Sequence, residues 1–470
     1  MDRLALAIRN GRLVTEEGVR EPTDVGIKGG RIVALGQVPP AGEEIDASGL
    51  LVLPGCIDAH VHLTYPETSP TEPGWVDDFT SGSAAALAGG VTTVGNMCFP
   101  LPGESLLDTL RREEAVVRDL TMVDYVLHPV VRQPTAKVRE DIRALSGLGY
   151  GTIKLFTVFA GFDQDLPGYL EIMATAAEAG VRTLVHCEDH AIIDHATRRL
   201  VEAGRTDLRH YAESRPVPAE VVATQRAVAM AEVTGAEVYI VHLSSKRALE
   251  VCLDARRRGV HVRVETRPLY LYFTEAQFAG PEPGRFVGQP PLRTADDTEA
   301  LWAALARGDI DTVCTDHAPW SLAAKIDPKH TVAAVRPGVA DLETLLPALH
   351  SEGVCSGRIT LGRLVQVLST NAARIFGLYP RKGTIRVGSD ADLVLFDPKL
   401  TRTVDGRRMH SRSDYSVLDG RRLTGWPVVT IRRGDVVYHD GRIVAVPGSG
   451  RRVSLARAHR GVSPANASRN

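Results

Sequence analysis

Between residues 54 and 375 the sequence alternates short apolar runs with helical stretches. Runs of roughly four to eight nearly continuous apolar residues are typical of strands buried on both faces. Eight are present: the run that ends at His62, and residues 91–96, 122–127, 151–156, 182–187, 237–242, 260–264 and 310–315. Eight strand–helix units predict an α/β fold, a parallel (β/α)8 TIM-like barrel. The alternative is an open doubly wound sheet, but no Gly-x-Gly-x-x-Gly turn follows an early strand.

The segments between the apolar runs carry helix start and stop signals. Pro167 opens a stretch with apolar residues on one face, and Gly180 closes it. Pro218 and Gly235 bracket a second helix in the same way.

Both ends of the chain are rich in short β-like runs separated by Asn-Gly and Gly-Gly turns. This predicts a small β-sandwich domain built from both termini, with residues 1–53 as its first part and 376–450 as its second. Residues 54–375 form the barrel between them. Residues 451–470 are basic and polar without an apolar pattern, which predicts a mobile C-terminal tail.

The composition is that of an ordinary globular protein, with 44% hydrophobic and 24% charged residues among 470. A net charge of −2 gives no reason to expect a nucleic-acid partner. We also expect no membrane association, because neither a signal-like start nor an apolar run of about 18 residues occurs. The six cysteines lack paired spacing, which favours free thiols in the cytoplasm.

Several polar side chains stand at the ends of the predicted strands, where the side chains of a parallel barrel converge on one mouth. Two of them, His60 and His62, lie two residues apart and so point to the same face of a strand, where they can bind one ion together. Each such residue alone has an ordinary explanation as a buried core histidine or a helix cap. Their shared position at strand ends instead predicts a metal site, formed by His60, His62, Lys154, His186, His242 and Asp316.

Lys154 lies inside the apolar run TIKLF, where a charged ammonium group has a large desolvation cost. One interpretation is that its stem packs in the core while the amine reaches solvent. The other is that CO₂ carbamylates the amine, which creates an oxygen-donor anion able to bridge two cations. The neighbouring metal ligands favour carbamylation.

Five ordered motifs resemble those of the cyclic amidohydrolases, the family of hydantoinases, dihydropyrimidinases, allantoinases and dihydroorotases. The motifs are GCIDAHVHL (55–63), TIKLF (152–156), VHCED (185–189), IVHLSS (240–245) and CTDHAP (314–319). The similarity extends over nearly the whole chain, from GLLVLPGCIDAH before the barrel to NAARIFGLYPRKGTIRVGSDADLVLFDP after it.

The resemblance implies two divalent metal ions. His60 and His62 would bind the more buried ion and His186 and His242 the more exposed one, with carbamylated Lys154 as the bridge. Asp316 would bind the buried ion and act as the catalytic general base. A hydroxide that bridges the metals would attack the amide carbonyl, and Asp316 would pass the proton to the leaving nitrogen. Zn²⁺ suits the histidine-rich ligands, while manganese, cobalt and iron stay open.

Three further polar residues near the ligand motifs, Glu188, Asp189 and His317, are candidates for orienting the ligands. The alternative is that they are ordinary polar residues at helix starts.

Within the family, the substrate branch is indicated by positions around the predicted mouth. Thr64 stands where dihydroorotases carry the arginine that holds a substrate carboxylate, and Phe99 stands where they carry an asparagine. The C-terminal residues 410–450 resemble the hydantoinase and dihydropyrimidinase branch. A cyclic amide substrate, a hydantoin or a dihydropyrimidine, is therefore expected, with substrate contacts at Thr64, Phe159, Gln289, Pro337 and Gly338.

One position departs from that branch. Phe159 replaces the tyrosine whose hydroxyl supports the oxyanion in typical dihydropyrimidinases, so oxyanion stabilisation would depend on the metals. Phe159 and the loop 64–75 would form an apolar wall around a 5-substituent of a hydantoin, the alternative being plain loop packing. Allantoinase stays the alternative activity, since that branch also commonly lacks the tyrosine.

Two other functions in the family are disfavoured. A dihydroorotase would carry the arginine and asparagine that are missing here. A non-catalytic scaffold of the dihydropyrimidinase type would have lost metal ligands, yet all six positions are intact. The resemblance also implies a homotetramer in which residues 384–450 contribute contacts.

Overall fold

The computed structural model of the protein describes residues 4–64 and 74–455. The chain begins with seven short strands: β1 Leu4–Arg9, β2 Arg12–Thr15, β3 Gly18–Pro22, β4 Asp24–Lys28, β5 Arg31–Gly36, β6 Ala41–Asp46 and β7 Leu51–Pro54. Four of them form one sheet in the order β5-β4-β1-β6. An Asn-Gly turn separates β1 from β2 and a Gly-Gly turn separates β4 from β5, as the sequence predicts.

Eight parallel strands follow, and all eight predicted from the apolar runs are present. They are β8 Cys56–Val61, β9 Val91–Cys98, β10 Asp124–Pro129, β11 Thr152–Phe156, β12 Arg182–His186, β13 Val238–Ile240, β14 Val262–Thr266 and β15 Thr312–Val313. They pair in the orders β10-β9-β8 and β11-β12-β13-β14-β15. Parallel bridges from Val130 to Lys154 and from Val61 to His317 link the two groups at both ends. The pairing therefore returns to the strand on which it began.

The C-terminal part adds β16 Leu393–Thr403, β17 Arg422–Arg432, β18 Asp435–His439 and β19 Arg442–Ile443. Together with three N-terminal strands they form a seven-stranded sheet in the order β19-β18-β17-β16-β7-β2-β3. The two chain ends meet where β16 runs antiparallel to β7, with Leu393 opposite Pro54. One apolar core contains residues of this sheet and of the four-stranded sheet, among them Ile8, Val25, Leu393 and Ile431.

Helices fill the connections between the parallel strands. Gly180 and Gly235 end two of them with φ of 66° and 72°, the left-handed conformation that glycine adopts without strain. The α-helices are α1 Phe79–Ala88, α2 Leu106–Leu120, α3 Ala136–Leu145, α4 Ala160–Gln164, α5 Leu166–Ala179, α6 His190–Glu202, α7 Tyr211–Ser214, α8 Val217–Thr234, α9 Lys246–Arg257, α10 Pro268–Tyr272, α11 Ala295–Arg307, α12 Leu322–Lys325, α13 Leu345–Leu349, α14 Leu361–Val365 and α15 Asn371–Ile375.

The prediction of a mobile tail from residue 451 onward is wrong for residues 451–455. The amide of Tyr125 donates to the Arg451 carbonyl at 3.0 Å, and the amide of Val453 donates back to Tyr125 at 2.8 Å. Val453 and Leu455 are buried against residues of β10 and its neighbours. Two apolar side chains in a basic segment suffice to dock it. Residues 456–470 lie outside the described residues.

Two further features bear on the sequence predictions. All six cysteines are free thiols; five are buried and Cys355 is exposed. Among the residues described, no helix has both the length and the apolar character that crossing a bilayer requires.

Candidate metal centre

The structure brings the six predicted ligand residues together at the C-terminal ends of the parallel strands. Five of them come from the end of a strand or from the residues just after it, and Lys154 is the middle residue of its strand. All are buried, with exposed fractions from 0% for Lys154 to 9% for Asp316. The six are His60 in β8, His62 beyond it, Lys154 in β11, His186 at the end of β12, His242 after β13 and Asp316 after β15.

The first group of donor atoms is formed by His60, His62 and Asp316. The Nε2 atoms of the two histidines lie 3.2 Å and 2.9 Å from the same oxygen, Oδ1 of Asp316. Burial lowers the pKa of His62 to about 4, so its ring is neutral near pH 7. Neutral imidazole is the form that binds a metal. Two imidazole nitrogens and a carboxylate oxygen facing one another can hold a divalent cation.

The second group is formed by His186 and His242. Nδ1 of His186 lies 2.9 Å from Nε2 of His242, so the two rings present nitrogens to one point. Burial lowers the pKa of both histidines, which again favours the neutral, ligand form. The ring centres of His60 and His242 are 5.4 Å apart, and the two groups are therefore direct neighbours.

Lys154 lies among both groups. Its positive charge lowers the pKa of His62, His186 and His242, which indicates that its amine is close to all three. Within the described part of the chain, the Nζ atom has no hydrogen-bond partner, although it is fully buried. Burial lowers the pKa of Lys154 to about 8, against the opposing charges of Glu265 and Asp316.

Two of these residues carry an unusual backbone conformation. His242 has φ of 39° and Asp316 has φ of 51°, in the left-handed region that side chains other than glycine rarely adopt. Such conformations cost about 1–3 kcal/mol each and persist where the surrounding fold imposes them, often at functional sites. Because the chain turns sharply here, β13 and β15 end before the predicted limits of 242 and 315.

Comparison with known proteins identifies the family. Residues 51–437 match the model of the amidohydrolase family. A D-hydantoinase of Rhizobium radiobacter is 36% identical over 450 residues, which are 95% of this chain and 97% of that protein. The chain belongs to the amidohydrolase family.

Two solved structures resemble this amidohydrolase over most of its length. A D-hydantoinase superposes with a TM-score of 0.92 at 34% identity, covering 97% of this chain and 99% of the other. A dihydropyrimidinase from Brevibacillus agri superposes with a TM-score of 0.90 at 33% identity, covering 97% and 99%. The amidohydrolase thus falls in the hydantoinase and dihydropyrimidinase branch, the branch that its motifs predict.

The amidohydrolase orients its histidines through residues that sequence reasoning only partly found. Glu265 was missed. One of its oxygens lies 2.8 Å from Nδ1 of His60, and the same oxygen accepts the backbone N–H of His242 at 2.9 Å. The predicted strand 260–264 stopped one residue short of it, whereas β14 runs to Thr266. An acidic residue at the end of a buried strand is the signal that would have found it.

Arg267 was also missed. Its guanidinium is fully buried and donates to Oδ2 of Asp316 at 2.8 Å, which leaves Oδ1 toward His60 and His62. Burial alone would raise the pKa of Asp316, but the positive charge of Arg267 holds it well below its usual range. Asp316 is therefore an anion with one oxygen committed to Arg267 and the other facing the histidines.

The three predicted orienting residues have different outcomes. Glu188 accepts from Nε2 of His186 at 2.9 Å and pairs with Arg215, so it contacts a ligand histidine. Asp189 caps helix α6 by accepting the amide of Ile192, as the structural alternative predicts. The ring of His317 contacts Asp77 at 2.8 Å, and its backbone carbonyl accepts the amide of His62 at 2.8 Å, so it contacts a ligand residue through the backbone only.

A cavity of about 160 Å³ opens over the ligand residues. It is smaller than the roughly 300–1,000 Å³ typical of sites for drug-sized ligands, and this size suits a small ring. Four of the five predicted substrate contacts line it: Phe159, Gln289, Pro337 and Gly338. Lys325, also missed, joins the two loops that carry them, because its buried amine donates to the carbonyls of Val287, Arg336 and Gly338 at 2.7–2.9 Å.

The fifth predicted contact, Thr64, does not belong to the described lining. Its hydroxyl donates to Glu113 at 2.6 Å and accepts from the amide of Asn96 at 3.3 Å, so its hydrogen bonds lie within the scaffold. The predicted apolar wall is present in part: Trp75 and Phe159 line the cavity, together with Phe99 and Phe156. Residues 65–73 of the predicted wall lie outside the described residues.

Proposed function

We propose that this chain is a metal-dependent hydrolase that opens the ring of cyclic amides, with hydantoins and dihydropyrimidines as its substrate class. The observation that carries the proposal is the convergence of four histidines, an aspartate and a buried lysine at one small cavity. The amine of that lysine has no hydrogen-bond partner among the described residues. Relatives that bear the name hydantoinase, aligned over nearly the full chain, support the same substrate class.

The donor set fits a pair of divalent cations. His60, His62 and Asp316 would hold one, and His186 and His242 the other, since each group presents its donor atoms to a common point. Zinc suits four imidazole ligands. When bound, two such ions lower the pKa of water and polarise an amide carbonyl.

Lys154 would contribute an anion between the two groups. Its neutral amine would attack CO₂, form an N–C bond and release one proton, which yields a carbamate with two oxygen donors. Two observations support this: the buried amine has no hydrogen-bond partner in the part of the chain that the structure describes, and its lowered pKa increases the neutral fraction. A permanently charged ammonium group in that position would repel cations instead.

Asp316 would move the proton. Its Oδ1 faces the two histidines and the cavity, so it is placed to take a proton from attacking water and deliver it to the leaving ring nitrogen. Arg267 on Oδ2 fixes the plane of the carboxylate. Phe159 supplies no hydroxyl to the oxyanion, and its ring, with Gln289, Pro337 and Gly338, would form the walls that orient the substrate.

We further propose the organisation that the sequence predicts. A (β/α)8 barrel over residues 54–375 is supported by the parallel pairing that returns to β8. A β-sandwich of residues 1–53 and 376–450 is supported by the core shared between the two terminal sheets. A homotetramer follows from the family resemblance alone, and a cytoplasmic location is supported by the six free thiols.

A hydrolysis panel on metal-loaded protein tests the function. The substrates are dihydrouracil, 5-monosubstituted hydantoins, allantoin and dihydroorotate. We expect turnover of the hydantoins or dihydrouracil that a chelator abolishes and added metal restores. Asp316→Asn is the matched control and should be inactive. Turnover of allantoin or dihydroorotate alone would overturn the proposed substrate class.

A further inference from the structure

An arginine stands at the outer edge of the cavity. Arg132 follows β10, is exposed, and places its guanidinium carbon 5.7 Å from the ring centre of Phe99 and 5.5 Å from that of Phe159. Both rings line the cavity. The two aromatic faces hold the cation by cation–π attraction at the mouth.

An aromatic wall connects this arginine with the ligand residues. The ring of Trp75 lies 4.9 Å from that of His62, and Phe99 lies 6.4 Å from Trp75. Phe156 continues the wall, and its ring is 5.0 Å from that of Phe159, which is 37% exposed. A substituent of a ring held over the histidines would follow this wall outward and arrive at Arg132.

Within the described chain, Arg132 has no acidic partner, unlike the other charged residues near the mouth. Among the described residues, no carboxylate lies within ion-pair distance of its guanidinium, whereas neighbouring charged groups are paired. The adjoining groove of about 390 Å³ is lined by Arg132, Glu104 and Lys137. Glu104 is bound by Arg112 at 2.8 Å, and Lys137 is bound by Glu140 and Asp141.

We propose that Arg132 selects cyclic amides whose ring substituent ends in a carboxylate. This rests on the proposed hydrolase function and specifies its substrate. Both aromatic ring centres lie 5.5–5.7 Å from the guanidinium carbon, and no hydrogen bond within the described chain uses the N–H groups of the guanidinium. Those planar N–H donors match a carboxylate. Trp75, Phe99, Phe156 and Phe159 would pack against the methylene groups of the same substituent.

The test compares two hydantoins that differ in one charge: 5-(2-carboxyethyl)hydantoin and 5-(2-carbamoylethyl)hydantoin. On the metal-loaded full chain, kcat/KM should favour the carboxylate by about 10-fold or more, the size of a hydrogen bond to a charged group. Arg132→Gln should lower kcat/KM for the carboxylate by about 10- to 100-fold, mainly through KM, and change the carboxamide by less than about 2-fold. Lys137→Gln, in the same groove, should change neither.

Two outcomes would overturn the assignment. Equal kcat/KM for both hydantoins in the unmodified protein would exclude charge recognition. An equal loss of kcat/KM for both substrates in Arg132→Gln would show that the arginine only packs against the aromatic wall and does not recognise charge. If the metal-loaded protein hydrolyses neither hydantoins nor dihydrouracil, the proposed function fails. Calorimetric binding of the two compounds then tests the role of Arg132. Selective binding of the carboxylate that is lost in Arg132→Gln supports the role, and equal binding of both compounds overturns it.

Discussion

Among the described residues, two buried clusters could hold a metal ion, and they differ in how far the chain's own cations balance them. The rim cluster is His60, His62 and Asp316; the base cluster is Asp124, Asp390 and Asp392. In the base cluster the amine of Lys382 lies 2.7 Å from Asp124 and 2.5 Å from Asp392, and Arg433 also pairs with Asp124. The chain's own cations therefore balance these carboxylates.

The rim cluster is compensated only in part by the chain's own cations. The charge of Lys154 lowers the pKa of His62, and its buried amine has no hydrogen-bond partner in the described chain. Arg267 satisfies one oxygen of Asp316 and leaves the other facing two imidazole nitrogens. The comparison teaches that a buried acidic cluster indicates a metal only where the protein's own cations do not fill it.

The largest effect is expected from removing the lysine of the rim cluster. Lys154→Ala should lose the bound metals and lower kcat/KM for a hydantoin by at least about 10³-fold, more than the roughly 10- to 100-fold typical of residues that only orient ligands. Metal per chain, measured by elemental analysis, and initial rates check this. Lys137→Ala, an exposed lysine paired with Glu140, is the control. Two metals per chain with near-normal turnover in Lys154→Ala would contradict the bridging role.

A different effect is expected from the lysine of the base cluster. Lys382→Met removes one of the cations that balance three buried carboxylates, so the free energy of unfolding should fall by about 3–5 kcal/mol. Metal content and kcat/KM of the folded protein should stay within about 2-fold, because breaking this pair should act on stability and not on the rim. Denaturation with urea and elemental analysis on the same samples separate the two effects. If Lys382→Met lost metal without losing stability, the base cluster would be the one that binds metal, and the assignment would be wrong.

The smallest effect is expected from Glu265. Glu265→Gln keeps the shape of the side chain but weakens its bond to Nδ1 of His60, so metal affinity should fall by about 10- to 100-fold. Competition with a chelator measures the affinity. Glu220→Gln is the control, since that buried glutamate contacts Ser244 and Arg293 and no ligand histidine. Equal losses in both variants would point to a general effect on packing.

Much of the fold and of the site could be predicted from the sequence because both depend on local patterns. The strands that end near His62, Lys154 and His186 are short apolar runs, and their order along the chain determines which residues share a rim. The ligands could be found because charged or imidazole groups at the ends of such runs are rare without a function.

Other features depend on contacts that no local pattern reveals. Arg267 and Lys325 are buried cations whose partners come from segments distant in sequence. Thr64 was predicted to contact substrate from its position alone, yet its hydroxyl donates a hydrogen bond to Glu113 on helix α2. The docking of Val453 was missed because the gap that it fills is created by tertiary packing.

The left-handed backbone at two ligand positions limits how the centre can be redesigned. At Asp316 and His242 a new side chain must be compatible with φ of 51° and 39° as well as with the chemistry of the ion. Asparagine and aspartate tolerate this region, whereas β-branched residues do not. Libraries that seek a new metal preference should therefore diversify His60 in β8 and His62 just beyond it, and confine the two turn positions to small polar residues.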